Sequence, residues 1–570
     1  MVNESFANTL LVEVESNPLP ADLAALMTYA YVEDSRNLPD MFVLRFRDPQ
    51  HIVLAKARLT IGAKVALKVQ TADPGGPQPL TSGEVTAVEL DLDRSGTVVE
   101  VRGLDMAHRL FRGRRVAAYP NMTVSDVVRT VAERAGLKPG KISALPGVGG
   151  QRDTQLSQDN ISDWQFLTRL ADLVGAQLTV IDGTLDFLLP AQPAGAPDTT
   201  AKATTDPLVL EAHRNLVALR ACVSAAEQVP RVEARGWDFE HKQEVTASAT
   251  PRTAGAEVPG ADPVTLAKAF DAPPYLAADA SWHTPGTVKA VAEAIAGQLG
   301  GACAELEGVA KGNVKLRAGA AVALVNVGEP FAGKYTLTST RHLFSEQAGY
   351  TTAFTVSGRQ ERSLHGLVTG GGTADGPGLG GRLAPAIVSD VRDPLKQGRV
   401  KLTFPWLGKD FSSGWARTVQ TGAGKGRGSL VLPEVGDEVL VGFAGGDMDE
   451  PYVLGGLHNG TDAVPALTTD PIDAASGEIT ARGFVSRTGH RIELIENDGI
   501  VLATGDGRLT IRLDKKNGVV EVKGSSGVTI DAGTGPLQLK GQKVGITALS
   551  EAELTANGQV TVRGALIRLN

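Results

Sequence analysis

Cysteine is almost missing: the 570 residues include two, Cys222 and Cys303, far apart and in no C-x-x-C unit. They read as reduced, partly buried thiols, which fits synthesis in a cytoplasm. Aromatic residues are scarce at 5%, which argues against large single cores. Long apolar runs are lacking, and no stretch approaches the roughly 18 residues a membrane-spanning helix needs. The N-terminal MVNESFANTLLVEVES has no basic region followed by an apolar run, so no secretory signal is expected. Positive charge is also short. A formal net charge of −8 speaks against nucleic acid as a main partner, because phosphate binding needs a clustered positive field. The basic run Arg112-Gly113-Arg114-Arg115 is brief and isolated and reads as a solvated turn or strand end.

What the chain has instead is glycine (66) and proline (31), with Val, Leu and Ile recurring along almost its whole length. That composition suits many short strands joined by tight turns, and the length suits three or four domains. Residues 1–368 read as mixed β with a few helices. SGEVTAVELDLDRSGTVVEVRGLD is a hairpin: Val88, Leu90 and Leu92 alternate with acids, Val99 and Val101 do the same, and Asp93–Gly96 supplies the turn. TVSDVVRTVAERAGL places Val124, Val127, Val128 and Val131 on one helical face and stops at Gly136. SDWQFLTRLADLVG opens with capping-box spacing, Ser162 to Gln165. A third helix is expected around 286–298. Residues 369–383 are a Gly-rich linker. Residues 384–460 resume turn-rich strand pattern and suit a small five-stranded barrel, with Phe404, Trp406, Trp415, Val439 and Val441 as its expected core.

After a connector at 461–480 the pattern changes. Within residues 481–570, short strands repeat about every eight residues: VVEVKG, VTIDAG, LQLKG, VGITAL, AELTAN, VTVRG and LIRLN. This is a repeat architecture. Each rung has one apolar row, the expected core being Val520, Val522, Val528, Ile530, Leu537 and Leu539. A lone chain would leave these rows and the strand edges open. A single-chain β-solenoid could close them, though such solenoids usually have longer rungs and a cap. Three copies wound about one axis would bury every row and pair every edge. The fold class expected is therefore mainly β with minor α, ending in an intertwined trimeric β-helix needle.

The blocks DPLKQGRVKLTFPWL (393–407), WARTVQTGAGKGRG (415–428) and PEVGDEVLVGFAGGDMDEPYVLGGLHNG (433–460) resemble the OB-fold barrel of contractile-tail spike proteins. That family includes the VgrG proteins of type VI secretion, phage baseplate spikes and extracellular contractile injection spikes. GLDMAHRL (103–110), the two helical segments and GKYTLTSTRHLFSEQAGYTTAFTVSGR (333–359) resemble its hub, and FVSRTGHRIELIENDG (484–499) resembles the start of its needle. The PYVLGGLHNG ending looks closer to the phage-like and extracellular-particle branch. The resemblance implies a homotrimeric central hub and spike of a baseplate, with hub domains forming a pseudo-hexameric ring beneath the inner tube. Implied partners are the inner tube or a tube-initiator protein, baseplate wedge proteins, effector cargo and a PAAR-repeat tip protein. The tip would dock on Val560, Val562, Leu566, Ile567 and Leu569. The target membrane would be touched only transiently. Assembly in a bacterial cytoplasm, within a phage tail-like particle, follows from the same likeness. No lysozyme domain is expected between barrel and needle, and no effector or tip domain after Asn570.

Chemistry is sparse. Gly376–Gly381 matches G-x-G-x-x-G but lacks the flanking strand and helix that would hold a pyrophosphate. Gly422–Gly428 hints at a phosphate loop, yet Gly rather than Ser or Thr follows Lys425. Asp91, Asp93 and Gly96 begin like a calcium loop, but Arg102 occupies the position of the bidentate Glu. The nine histidines show no metal spacing, and His108, His342 and His490 read as structural. No catalytic, cofactor or metal residue is expected. Two other readings share part of the signal: a trimeric tail fibre or adhesin, and a cell-wall hydrolase carried on a spike.

Overall fold

The computed structural model describes residues 8–36, 38–71, 76–94, 96–145, 148–150, 154–190, 192–253, 255–278, 282–357, 383–408 and 410–568. Of the linker expected over 369–383, only Leu383 falls among them. The chain divides into two compact units, Met1–Asn459 and Gly460–Asn570.

The first unit is organised by an eleven-stranded sheet that runs from Leu216–Val223 through Met27–Ser35 to Asn17–Pro18. Its strands come from both ends of the hub segment, since Ser339–Ser345 pairs with Met27–Ser35. Alternation explains why these segments are strands. In Lys64–Gln70 the residues Val65, Leu67 and Val69 are buried and alternate with the more exposed Lys64, Ala66, Lys68 and Gln70. Each such side chain contributes about 1.5–3 kcal/mol when fully buried. The hairpin expected at 82–105 forms, with Val88 opposite Val101 and Leu90 opposite Val99. Its outer end leaves Leu90 and Leu92 exposed.

Two helices sit in an insertion with its own core. Val124–Arg134 starts where Thr123 Oγ1 accepts from the Asp126 amide at 3.2 Å. Asp163–Val174 starts with a complete capping box between Ser162 and Gln165 and ends at Gly175, whose φ of 68° is left-handed. Val124, Val127, Val128 and Val131 pack against Trp164, Leu167 and Leu170. The third helix, Pro285–Gly301, lies against the hairpin of Val232–Asp238 and Gln243–Ala249, with Val288 and Ala292 in the shared core.

Buried charge ties distant parts of the hub together. Asp34, Asp40 and Asp105 are each 5% exposed or less. Arg317, nearly 300 residues along the chain, donates to Asp34 and lies 3.8 Å from Asp40. Asp105 accepts from the Ala107 amide at 2.9 Å and caps the turn Met106–Phe111. Burial pushes its carboxyl up to about 7, against the lowering effect of backbone hydrogen bonds from Ala107 and Asp40, and the charges of Asp34 and Asp182 push the same way as burial.

The barrel is a five-stranded sheet in the order Lys401–Thr403, Ala384–Asp390, Glu438–Phe443, Pro451–Gly456 and Arg417–Thr418. Its connecting loop 393–399 is built around one carboxylate. Asp393 accepts from the amides of Leu395 (3.0 Å), Gln397 (2.7 Å) and Arg399 (3.2 Å), and from the Arg399 guanidinium at 2.8 Å. Burial opposes its ionisation, but these bonds outweigh it and hold the carboxyl at about 2. Arg399 is itself 5% exposed.

The second unit begins with an antiparallel meander of Ala481–Val485, Arg491–Ile495, Gly499–Ala503, Leu509–Asp514 and Val519–Gly524. From 525 to 568 the single chain forms no strand, and every residue is exposed. Thus only the first of the seven expected rungs, Val519–Gly524, finds a partner strand within its own chain.

Two stability predictions follow from the buried charges. Asp105 holds its proton longer in the folded state than its ordinary 3.8 allows, so the folded state binds more protons and loses stability as pH rises from about 4 to 7. Asp105→Asn keeps the cap oxygen and removes that penalty. It should match wild type at pH 4 and be up to about 4 kcal/mol more stable at pH 8 in urea unfolding. Asp393→Ala removes the carboxylate that the buried Arg399 guanidinium and three loop amides share, and should cost about 3–5 kcal/mol. Faster hydrogen exchange at the Val439 and Val441 amides, with the hub unchanged, is the expected readout.

Candidate functional site

Among the described residues, the groupings that stand out are a packed barrel core, its junction with the preceding segment and an exposed apolar sheet face. In the barrel, Phe404, Val439 and Val441 are fully buried beside Leu402, Phe411 and Val453. Phe404 meets Phe411 and Phe443 with ring centroids 6.0 Å apart. Trp406 is placed differently from the expected core. It is 50% exposed, its ring edge-on to Phe404, and its indole N–H donates to the Pro385 carbonyl at 2.9 Å. A Trp can keep its polar edge satisfied at a surface while its ring covers the core. Trp415 is half-buried, with Lys401 Nζ 5.2 Å and the Arg399 guanidinium 6.0 Å from its ring.

The barrel is seated on the hub. Val116 and Ala118, from the strand Arg115–Pro120, pack against the barrel core. Gln155 Nε2 donates to the Ser412 carbonyl at 3.0 Å, and the Ser157 amide donates to Asp449 Oδ2 at 3.1 Å. His283 Nε2 lies 2.7 Å from Glu450 Oε2, and the Arg417 guanidinium stacks 5.0 Å from the Phe239 ring. Sequence reasoning missed this junction, because its partners lie up to 292 residues apart. The acidic run DMDE inside the barrel motif was the available signal.

In the second unit the meander has two unlike faces. One carries Ala481, Glu493, Ile495 and Ala503, all buried. The connector lies against it: the Thr468 amide donates to both Glu493 oxygens at 3.1 and 3.2 Å. The other face is bare. Registered across the strands, Phe484, Ile492, Leu502, Ile511 and Val522 form one row, and Leu494, Ile500, Leu513 and Val520 a second. Of these nine, all but Ile500 are at least 40% exposed. Beyond them Val528, Ile530, Leu537 and Leu539 are 52–67% exposed, and Val560, Val562, Leu566 and Ile567 are 47–70% exposed. Leu569 lies outside the described residues. Monomers rarely expose contiguous apolar patches of this size.

The suspected chemical motifs fall elsewhere. Gly422–Gly428 is an exposed loop with a two-residue ladder between Ala423–Gly424 and Arg427–Gly428. Gly376–Gly381 lies outside the described residues. Asp91 and Asp93 belong to a long hairpin strand. Among the described residues, no group of three His, Cys, Asp or Glu could hold a metal ion, and no helix is long and apolar enough to cross a membrane. Cys303 is buried, its Sγ donating to the Ala261 carbonyl at 3.0 Å, and burial pushes the thiol up to about 11; Cys222 is exposed. His342 is fully buried beside Tyr350 and Thr352, and desolvation presses it down to about 3. His108 bridges Glu84 and Arg112, and His490 Nδ1 accepts from the Gly505 amide.

Residues 384–458 match the family model of the type VI secretion system/phage-baseplate injector OB domain. A second model, the Alg8 N-terminal domain, matches residues 73–346. The chain is 40% identical over 77 residues to the type VI secretion system spike protein VgrG3 of Vibrio cholerae, covering 13% of this chain and 8% of that protein. It is 35% identical over 100 residues to the spike protein VgrG2a of Pseudomonas aeruginosa, covering 17% and 12%. The matches thus span about a tenth of the curated relatives' length. A chain of the half-lidded Francisella PdpA-VgrG complex shares the fold at a TM-score of 0.52 and 6% identity, covering 91% of this chain and 89% of that one. Residues 384–458 thus match an injector OB domain, short stretches are similar to VgrG spike proteins, and nearly the whole chain shares its fold with a VgrG chain.

Proposed function

We infer that the chain acts as a homotrimer at the centre of a contractile injection baseplate. In this reading residues 1–368 form the hub, 384–460 the barrel and 481–570 the needle. The observation that carries it is the bare side of residues 481–568. The meander covers one face with its own connector and leaves nine apolar residues on the other. The rungs from 525 to 568 have no partner strand in their own chain. Neighbouring copies would supply both what the apolar rows need and what the open backbone needs. A monomer would hold an exposed template for aggregation instead.

The same reading assigns the remaining partners. The hub would meet the inner tube or a tube-initiator protein, with wedge proteins around it. Val560, Val562, Leu566, Ile567 and Leu569 would receive a PAAR-repeat tip. Sheath contraction would supply the mechanical energy, so the chain would need no nucleotide, and effector cargo would travel with the needle. Assembly in the cytoplasm of a bacterium, within a phage tail-like particle, belongs to this proposal.

Mass in native solution checks the central point: the expected species is three times 59.5 kDa, and a well-folded monomer would contradict it. Leu502→Asp places a carboxylate in the middle of the bare face, where threefold burial would bring three charges together. The trimer should then dissociate, because each unpaired buried charge costs several kcal/mol. Leu566→Asp with Leu569→Asp should abolish pull-down of a PAAR-repeat protein and leave the trimer mass unchanged. Retained pull-down would remove that docking site.

A further inference from the structure

We propose that the hub and barrel close on each other through a clasp that takes up protons, so that their docking tightens as the surroundings acidify. The clasp is the loop Asp447–Glu450 of the barrel held between the strand Gln155–Ile161 and the residue His283 of the hub. It is independent of the trimeric reading above.

The geometry requires a shared proton. His283 Nδ1 lies 2.9 Å from the Trp237 carbonyl, which can only accept, so Nδ1 carries a hydrogen. Nε2 is buried and lies 2.7 Å from Glu450 Oε2, an ion-pair contact without a well-aligned hydrogen bond. Two lone pairs would repel at that distance, so one of the two groups carries a proton. The docked pair therefore holds one proton more than a neutral imidazole beside an ionised carboxylate. Asp449 adds a second demand. Its Oδ2 accepts from Ser157, while its buried Oδ1 has no partner and the carboxylate of Asp447 stands nearby.

The titrating groups agree in direction. Burial lowers His283, but the hydrogen bond and charge of Glu450 outweigh it and lift the imidazole above its ordinary 6.5, with Arg417 opposing. Burial raises Glu450 despite His283 and Arg417, and Asp447 adds to the rise. Both partners compete for one proton, and either placement keeps it in the docked pair. Burial and then Asp447 hold Asp449 well above the usual carboxylate range, with Ser157 and Arg169 opposing. Asp159, paired with Arg169 at 3.3 Å, is raised by burial too. Each of these groups binds protons more tightly in the docked structure than its ordinary value would give, and for His283, Glu450 and Asp449 a partner lies across the junction. Docking is therefore strongest below the ordinary carboxylate values near 4 and weakens as pH rises through His283's raised value.

Hydrogen exchange on the full chain between pH 5.5 and 8.5, corrected for intrinsic rates, tests this at the Ser157 amide. Protection there should fall with rising pH, by about tenfold per unit for each proton released on opening. Amides of Val101 and Val441 in the two cores should hold steady. Glu450→Gln with Asp449→Asn supplies uncharged partners that need no extra proton, and should flatten the Ser157 profile while retaining protection. If the double variant does not fold, Glu450→Gln alone should lower the slope. A flat wild-type profile, a fall shared equally by the core amides, or a slope unchanged in the folded variant would each overturn the proposal.

Discussion

A β-strand presents two needs at once, an apolar row to cover and backbone edges to pair, and residues 481–568 meet these needs only in part. The connector covers one face of the meander through Leu467 and the Thr468–Glu493 bonds. The opposite face keeps Phe484, Ile492, Leu502, Ile511 and Val522 in an open row. Past Gly524 even the local pairing stops, and apolar and charged side chains are equally exposed. The rungs are short and poor in aromatic residues, which leaves little from which to build a core within one chain. The proposed function rests on that constraint, and the alternation of apolar and charged residues along each rung gives neighbouring copies a ready-made surface.

The first unit solves the same problem internally. Its eleven-stranded sheet joins residues from 9 to 356, so that strands far apart in sequence cover one another's edges. The cost of assembling such non-local pairs is offset by buried charge at the joints as well as by apolar cores. Arg317 reaches Asp34 across most of the hub, and Arg399 and Asp393 fix the barrel loop from within. These pairs carry additional hydrogen bonds to backbone amides, and without such bonds burying charge would not be tolerated.

The seam between hub and barrel has another character. It combines apolar contact at Val116 and Ala118 with acids whose hydrogen-bonding is incomplete. A purely apolar seam would be insensitive to its surroundings. Carboxylates crowded at 447–450 make it responsive, since a proton must accompany their burial.

The alternation and capping signals by themselves determined the mainly β class, the hairpin at 82–105 and the helices at 124, 163 and 285, because each depends on neighbours within a few residues. The barrel motif was equally legible: Asp393 and Arg399 are six residues apart and organise one loop. The bare rows of residues 481–570 could be read as an unmet need, though not their cross-strand register or the covered face behind them. Only the tertiary structure decided that Trp406 lies at the barrel surface, that His283 meets Glu450, and that strands from both ends of the hub share one sheet. Those outcomes depend on which of many compatible surfaces meet in space, and no periodicity along a chain encodes the distance between residues that touch only after folding.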